Sequence, residues 1–384
     1  MQKEKTTVKS DNYNVGFFVR VACFILVFVL IIGVLSAGPF SNKQATTYKN
    51  YYRSAYSYLM EEDQTIDVVC MGTSEAFSGF VPNIVFEEYG YTCLNTSMTF
   101  QTTMRTYTFL KDLLKHQDIK VLVLETDMLH YSYHEPKGKP TFYEKYTSVG
   151  EPYFSMVSES RFDDIISTHA SVFNFNDRWK RLTPKSFVKS YTEEVEYDYN
   201  HGYYFVTKTD SKVQPNKHME PTDEVATIPF ESHFYLDKIV KLCKDKGIEV
   251  VMFEFPQARD YSYARHNAIQ QAADADGVEF IDMNLMLDEL GIDYTTDFRD
   301  SAHVNYSGAS KVTEYVSDYL HTHYGDKLTD RRGDPHYQKY EDAQNDYLDK
   351  NFFDKYHSLR SYWAVKNKSD RNSVEEDEKE LDLS

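Results

Sequence analysis

The sequence predicts a three-layer α/β/α domain on a doubly wound, five-stranded parallel sheet, with an inserted cap and one N-terminal transmembrane helix. Two observations predict the α/β domain. Short uninterrupted apolar runs are typical of strands buried on both faces, and stretches with helical spacing of apolar residues alternate with them. A third observation, a run of 17 uncharged residues near the N-terminus, predicts the transmembrane helix.

Five apolar runs are predicted as the strands of the sheet. They lie at residues 66–71, 91–94, 119–125, 248–255 and 278–282. Helices are predicted at residues 73–89, 102–116, 230–246, 263–275 and 306–324. Gly247 and Gly277 follow two of these stretches, and glycine is the residue that most often ends a helix.

The apolar run near the N-terminus predicts a membrane anchor. The 17 residues at 21–37, extended back to residue 16, give about 20 residues, which is the length that crosses a bilayer. Three lysines and Arg20 precede the run, and this basic flank predicts a cytoplasmic N-terminus with the rest of the chain outside the cytoplasm. A cleaved signal peptide, ending near Ala37, is the alternative.

The predicted organisation has five parts. They are a cytoplasmic tail (1–15), a transmembrane anchor (16–38), a juxtamembrane helix (39–64), the α/β domain (65–324) and a charged, partly disordered C-terminal extension (325–384). Residues 128–229 interrupt the alternation of strands and helices. This segment is longer than a loop of a compact domain, so it is predicted to form the inserted cap. The tyrosine-rich residues 197–204 are interpreted either as the lining of a glycan cleft or as an aromatic packing cluster.

Composition excludes several classes of protein. Mean hydropathy is −0.58, which excludes a polytopic membrane protein. The chain has 42 Lys and Arg against 60 Asp and Glu, a net charge of −18, so we expect no nucleic-acid partner. The four cysteines form no CxxC pair and no glycine-rich phosphate loop is present, so we expect neither a metal nor a cofactor.

Two short segments carry residue types that suit nucleophilic catalysis. Ser74 follows the first predicted strand and begins a helix, and functional groups in parallel α/β sheets lie beyond the carboxyl ends of strands. Asp300 and His303 lie before the last helix at a spacing of three, so a single turn can present a base and the carboxylate that orients it. Asp297 is a second candidate for the orienting carboxylate. Taken singly, each segment is also explained by an ordinary helix cap or surface loop.

Together, the serine after the first strand and the D-x-x-H pair before the last helix resemble the SGNH/GDSL hydrolase superfamily. The segment DFRDSAHVNYSGA is similar to the branch that contains the teichoic-acid D-alanylation protein DltD and the extracytoplasmic polysaccharide O-acetyltransferases. The resemblance covers residues 66–127 and 230–322. It implies a flavodoxin-like fold, with Ser74 as nucleophile, His303 as base and Asp300 as its orienting partner.

The oxyanion-binding segments depart from the pattern of this superfamily. The usual glycine of the second block is replaced by Asn95, and the usual asparagine of the third block is replaced by Asp127, whose carboxylate accepts hydrogen bonds rather than donating them. Ser74, through its backbone N–H, and Asn95 are therefore the expected oxyanion donors.

Two functions follow from these observations. The first is a membrane-anchored, extracytoplasmic acyl esterase or O-acyltransferase that acts on cell-envelope glycans or acylated polymers. For transfer, the resemblance implies a membrane acyl-exporting partner as donor. The alternative is a non-catalytic surface protein that binds glycan or an assembly partner through a degenerate SGNH fold.

Overall fold

The structure, a computed structural model, describes residues 11–40, 57–131, 170, 172–173, 176–184, 186–187, 197–259 and 261–352. The chain divides into two units, described separately here: Met1–Lys49 with Pro140–Val195, and Asn50–Lys139 with Glu196–Ser384. Much of the predicted cap, most of the predicted juxtamembrane helix and the predicted acidic tail lie outside the described residues.

The first unit contains the long N-terminal helix α1 (Asp11–Ala37). Its segment Val15–Ser36 has a mean hydropathy of 3.0 and exposes its side chains, so it is long and apolar enough to cross a membrane. The predicted apolar helix is therefore present.

The second unit is built on a five-stranded sheet in which every neighbouring pair is parallel. The strands are β1 (Val68–Met71), β2 (Cys93–Asn95), β3 (Val121–Glu125), β4 (Glu249–Glu254) and β5 (Glu279–Asp282). Their order is β2-β1-β3-β4-β5, the flavodoxin-like arrangement. The predicted fold class and all five predicted strands are confirmed.

The strand order indicates where on the sheet a ligand would bind. The chain moves outward from β1 to β2 and then returns past β1 to β3, so the order reverses between β1 and β3. Ligands of open α/β sheets bind beyond the carboxyl ends of the strands at such a reversal. Ser74 follows β1 and Asp127 follows β3, so both lie at this point.

Helices form the two outer layers. They are α2 (Ser74–Gly79), α3 (Pro82–Tyr89), α4 (Thr103–Leu113), α5 (Phe230–Lys246), α6 (Tyr263–Asp276), α7 (Leu287–Leu290) and α8 (Tyr306–Tyr324). Alternate strand residues such as Val68 and Val121 join one core with side chains of α3 and α8. The residues between them point to the opposite face of the sheet. On the other side, α4 packs against α5.

The prediction of a single helix at 73–89 is wrong, because the structure has two helices there. Phe80 and Val81 are extended, and Pro82 starts the second helix. Proline has no backbone N–H and a fixed φ. It is therefore tolerated in the first turn of a helix, and it disrupts a helix when it lies in the interior. The Val81 N–H, left without a helical acceptor, donates to Thr313 Oγ1 in α8 at 2.9 Å.

The described part of the C-terminal extension packs on the α/β domain. Arg331 donates to both carboxylate oxygens of Asp67 at 2.9 and 3.0 Å. In α9 (Gln338–Phe352), Tyr340 is buried, and its hydroxyl donates to the Cys93 carbonyl at 2.7 Å and accepts from the Cys93 N–H at 3.0 Å. Residues 325–352 are thus held against the domain by specific hydrogen bonds.

Candidate active site

The turn after β1 is fixed by a carboxylate from β3. Thr73 is the N-cap of α2, and Ser74 is the first residue of that helix. Glu125, at the end of β3, accepts hydrogen bonds from the Thr73 N–H at 2.6 Å and from Thr73 Oγ1 at 2.9 Å. Ser74 is buried, with 6% of its surface exposed. The backbone that carries Ser74 is therefore held in one position.

Gly72 leaves the space in which Glu125 lies. A Cβ at position 72 would stand 2.5 Å from the Glu125 Cβ and 2.8 Å from the Ala76 Cβ. Gly72→Ala is expected to lower the free energy of unfolding by about 1–3 kcal/mol, because overpacking displaces one of these neighbours. Urea unfolding followed by circular dichroism measures the loss.

The control for this substitution is Gly277→Ala, where the added Cβ meets nothing within 4 Å and only the positive φ of 67° opposes it. The Gly72 variant should also slow the reaction of Ser74 with a serine-directed probe, whereas the Gly277 variant should not. A Gly72 variant with the wild-type unfolding midpoint contradicts the close packing.

The D-x-x-H segment is a tight loop that presents His303. An antiparallel bridge between Phe298 and Val304 closes the loop. Inside it, Asp300 Oδ1 accepts from the backbone N–H groups of Ala302 at 2.9 Å and His303 at 3.0 Å, and lies 2.8 Å from His303 Nδ1. Partial burial opposes ionisation of Asp300, yet these hydrogen bonds and the histidine bring its pKa to about 2. An ionised Asp300 holds the Nδ1 proton and leaves Nε2 as the acceptor.

Asp297, the second candidate for the orienting carboxylate, has other partners. Its carboxylate accepts from Ser307 Oγ and Lys311 Nζ, both at 2.7 Å, and from the Asp293 N–H at 2.8 Å. The geometry therefore favours Asp300.

Arg299 joins the D-x-x-H loop to the helix that carries Ser74. Its guanidinium donates to Ser78 Oγ in α2 at 2.9 Å and lies 5.1 Å from the ring centre of Tyr204. The ring of Tyr204 in turn packs edge-on against the ring of Phe77, and the backbone N–H of Tyr204 donates to the Phe77 carbonyl. These contacts bring His303 to the same side of the sheet as Ser74.

The carboxylate of Glu75 lies between Ser74 and His303. Ser74 Oγ donates to Glu75 Oε2 at 3.2 Å, and Glu75 Oε1 lies 3.9 Å from His303 Nε2. His303 Nε2 is buried and has no hydrogen-bond partner among the described residues. Ser74 and His303 thus approach opposite sides of one carboxylate, without a direct hydrogen bond between them. No sequence pattern marks Glu75 as part of the site, although it is adjacent to Ser74.

Glu75 belongs to a group of buried carboxyls at the sheet edge, together with Glu125, Asp127 and Glu254. Burial, followed by the charge of Asp127, raises the pKa of Glu75 to about 6. Burial raises the pKa of Glu125 and Glu254 well above the ordinary value, and the neighbouring carboxylates add to the effect. Like charges held this closely cannot all be ionised at neutral pH without a large cost, so part of the group holds protons.

The geometry argues against the oxyanion role predicted for Asn95. Its side-chain NH₂ donates to the carbonyls of Ala76 at 2.9 Å and Phe80 at 3.0 Å, and its backbone N–H donates to the His201 carbonyl at 2.9 Å. All three N–H hydrogens of Asn95 therefore serve to hold α2 and the segment near residue 201. The backbone of Ser74 remains the predicted donor.

Asp127 acts as a hydrogen-bond acceptor. The Tyr131 hydroxyl donates to its Oδ2, and Arg265 Nη1 lies 3.4 Å from its Oδ1. In the superfamily pattern, the residue at this position after β3 donates a hydrogen bond to the oxyanion. Asp127 instead accepts hydrogen bonds from its neighbours, as an ionised carboxylate does.

Metal and disulfide chemistry are not evident in the part of the chain that the structure describes. No group of three or more His, Cys, Asp or Glu side chains is arranged to hold a metal ion there. Cys70, Cys93 and Cys243 are buried free thiols, and burial raises the pKa of each of them.

An open cavity of about 430 Å³ adjoins Asp300. Its lining includes three cationic side chains, a histidine and two residues of the D-x-x-H loop: Lys212, Lys217, Arg259, His218, Asp300 and Ser301. Residues 210–218 form one wall of the cavity. Two backbone hydrogen bonds hold this segment: the Asp210 N–H donates to the Phe298 carbonyl, and the Tyr263 N–H donates to the His218 carbonyl. A cleft that carries several cations therefore lies beside the candidate catalytic loop, in a chain of net charge −18.

Comparisons with known proteins find similarity only at the level of solved structures. No protein-family model matches the chain, and no curated protein matches it. The chain is similar to a protein from Bacteroides fragilis assigned as an acylhydrolase, with 10% identity over 70% of this chain and 94% of that chain and a TM-score of 0.32. It is also similar to a GDSL-like lipase from Bacteroides thetaiotaomicron, with 12% identity over 72% of this chain and 98% of that chain and a TM-score of 0.33. Similarities at this level say nothing about the activity of this chain.

Proposed function

We propose that the chain is a membrane-anchored, extracytoplasmic serine esterase or O-acyltransferase of the SGNH/GDSL type. The observation that carries the proposal is the oriented histidine: Asp300 Oδ1 lies 2.8 Å from His303 Nδ1, and His303 Nε2, which has no hydrogen-bond partner among the described residues, lies 3.9 Å from Glu75 Oε1 in α2. A histidine held by a carboxylate, on the same side of the sheet as a buried serine at its carboxyl edge, supports nucleophilic acyl transfer.

In the proposed reaction, Ser74 Oγ attacks the carbonyl carbon of an ester and its proton passes to His303. The ionised Asp300 stabilises the imidazolium that forms, because it already holds Nδ1. The imidazolium then protonates the leaving alcohol, and an acyl-enzyme remains on Ser74. Water or a sugar hydroxyl attacks this intermediate, with His303 as base, and releases Ser74.

For the substrate, we propose an ester on a cell-envelope glycan or a related polymer. The cavity beside Asp300 supports this choice, because it is open and its lysines suit a glycan that carries anionic groups.

The proposed location is the outer face of a membrane, with α1 as the single anchor. The apolar segment Val15–Ser36 and the basic residues before it support this topology. If the reaction is a transfer, an acyl donor is needed outside the cytoplasm, and we propose a membrane acyl-exporting protein as the partner that supplies it.

The proposed function is tested with a fluorophosphonate probe on the purified full chain in detergent. Ser74 Oγ should displace fluoride and form a stable phosphonyl ester, and peptide mapping by mass spectrometry should place the adduct on Ser74. Labelling at another serine, or none, would contradict the proposal. It would leave the alternative, a surface protein that binds glycan through the same fold.

A further inference from the structure

The two oxygens of the Glu75 carboxyl have different surroundings. Oε2 accepts a hydrogen bond from Ser74 Oγ at 3.2 Å and also contacts Thr73 Oγ1, whose single hydrogen it shares with Glu125 Oε2. Oε1 faces His303 Nε2 at 3.9 Å. While Oε2 accepts from Ser74 Oγ, a protonated Glu75 carries its proton on Oε1, on the side of His303.

The surroundings of Glu75 favour its neutral form. The groups that face it from the end of β3 are Glu125 and Asp127, the next segment contributes the hydroxyl of Tyr131, and the D-x-x-H loop contributes His303. Burial and the Asp127 charge raise the pKa of Glu75 to about 6, and the nearby His303 opposes the rise. Glu75 is therefore largely protonated in mildly acid solution, and its ionised form prevails at neutral pH.

We propose that Glu75 is a catalytic residue that relays the proton from Ser74 to His303, an inference that rests on the proposed serine chemistry. The Ser74 Oγ–H bond breaks and its proton bonds to Glu75 Oε2. At the same time the Glu75 Oε1–H bond breaks and its proton bonds to His303 Nε2. The freed Oγ lone pair forms the bond to the acyl carbon, and the carbonyl π pair moves to the carbonyl oxygen.

This step balances without another reactant. Glu75 begins and ends as a neutral acid, and its two C–O bonds exchange character. His303 ends as an imidazolium beside ionised Asp300, and it gives its new proton to the leaving alcohol. The relay needs the Oε1–Nε2 separation to shorten from 3.9 Å by about 1 Å, which is an ordinary change because catalytic hydrogen bonds are often long without substrate.

The relay explains two features that a direct Ser–His contact leaves unexplained. His303 Nε2 is buried without a partner among the described residues, although its acceptor lone pair points toward the site. Ser74 Oγ donates to the Glu75 carboxyl, although the turn is already held by Glu125, which accepts from the Thr73 N–H.

The test measures the second-order rate of fluorophosphonate labelling of the full chain in detergent. Glu75→Gln should label about 10²–10³-fold more slowly than wild type, because an amide keeps the shape but cannot pass a proton between its two ends. The matched control is Glu254→Gln, which alters a buried carboxyl of the same sheet edge whose partners are Thr126 and Gln257. This control should label at the wild-type rate.

Two further readouts separate a relay from a positioning role. The wild-type labelling rate should fall as pH rises above about 6, because Glu75 loses the proton that it must pass on. A direct Ser–His pair gives the opposite slope, since its base becomes active on losing a proton. Labelling of Glu75→Ala should be restored by formate, which has two exchangeable oxygens, and not by formamide.

The outcomes separate the relay from the proposed function. Wild type labelled at Ser74, together with Glu75→Gln labelled at the same rate, overturns the relay and leaves the serine mechanism standing. A rate that rises steadily with pH also overturns the relay alone. A wild-type chain that is not labelled at Ser74 overturns both.

Discussion

Ser74→Ala is expected to remove phosphonate labelling and to lower kcat/KM for an activated ester by about 10⁴–10⁶-fold. The reason is chemical, since no other group in the proposed mechanism forms the acyl-enzyme. The fold should survive, because the change deletes one hydroxyl, which donates a hydrogen bond to Glu75 Oε2. Hydrolysis of p-nitrophenyl acetate by the full chain in detergent measures the loss, and thermal unfolding reports the fold.

The control for Ser74→Ala is Ser310→Ala, which removes a serine hydroxyl that bonds to the Tyr306 carbonyl within α8. This variant should keep wild-type turnover. A Ser74→Ala chain that hydrolyses the ester at the wild-type rate removes Ser74 from the mechanism and leaves glycan binding as the better account of the chain.

His303→Ala is expected to be nearly as damaging as Ser74→Ala, and the two losses should not add. A hydroxyl without a base is a poor nucleophile, so removal of either partner disables the same step. The double variant should therefore be as slow as the single variants in the same ester assay. Asp300→Asn should have a smaller or similar effect, because it weakens the hold on Nδ1 without removing the base.

The control for the histidine is His233→Ala on α5, whose side chain is 44% exposed and faces Asp237. It should not change turnover. Additive losses in the Ser74/His303 double variant would mean that the two residues act in separate steps, which contradicts the proposed mechanism.

The sheet was predictable because parallel strands are buried on both faces. Such strands appear in the sequence as uninterrupted apolar segments. Strands β1 and β3 are fully buried in the structure. The break between α2 and α3 also has a sequence signal in Pro82, because proline starts a helix more readily than it continues one. Helix ends marked by a glycine, such as Gly247, were predicted at the correct residue.

The candidate site was predictable only in part, because its remaining members act through tertiary contacts. Ser74, Asp300 and His303 were found from their spacing and from their places at the ends of strands. The position of Glu75 between two of them depends on how α2 meets a loop more than 200 residues away along the chain. Likewise, no local pattern reveals that Asn95 donates its hydrogens to carbonyls of the α2 segment.

The Tyr340 contact has a consequence for how copies of this chain behave in a crowded solution. Strand β2 is the outermost strand beside β1, and its outward peptide groups have partners from other segments: the Asn95 N–H donates to the His201 carbonyl, and the Cys93 groups bond to the Tyr340 hydroxyl. By both donating to and accepting from Cys93, the Tyr340 hydroxyl imitates the pairing of one residue of a sixth strand. In a fragment that ends at Tyr324, the peptide groups of Cys93 would be open to an extended segment of another molecule. We therefore expect residues 325–352 to limit self-association of the domain.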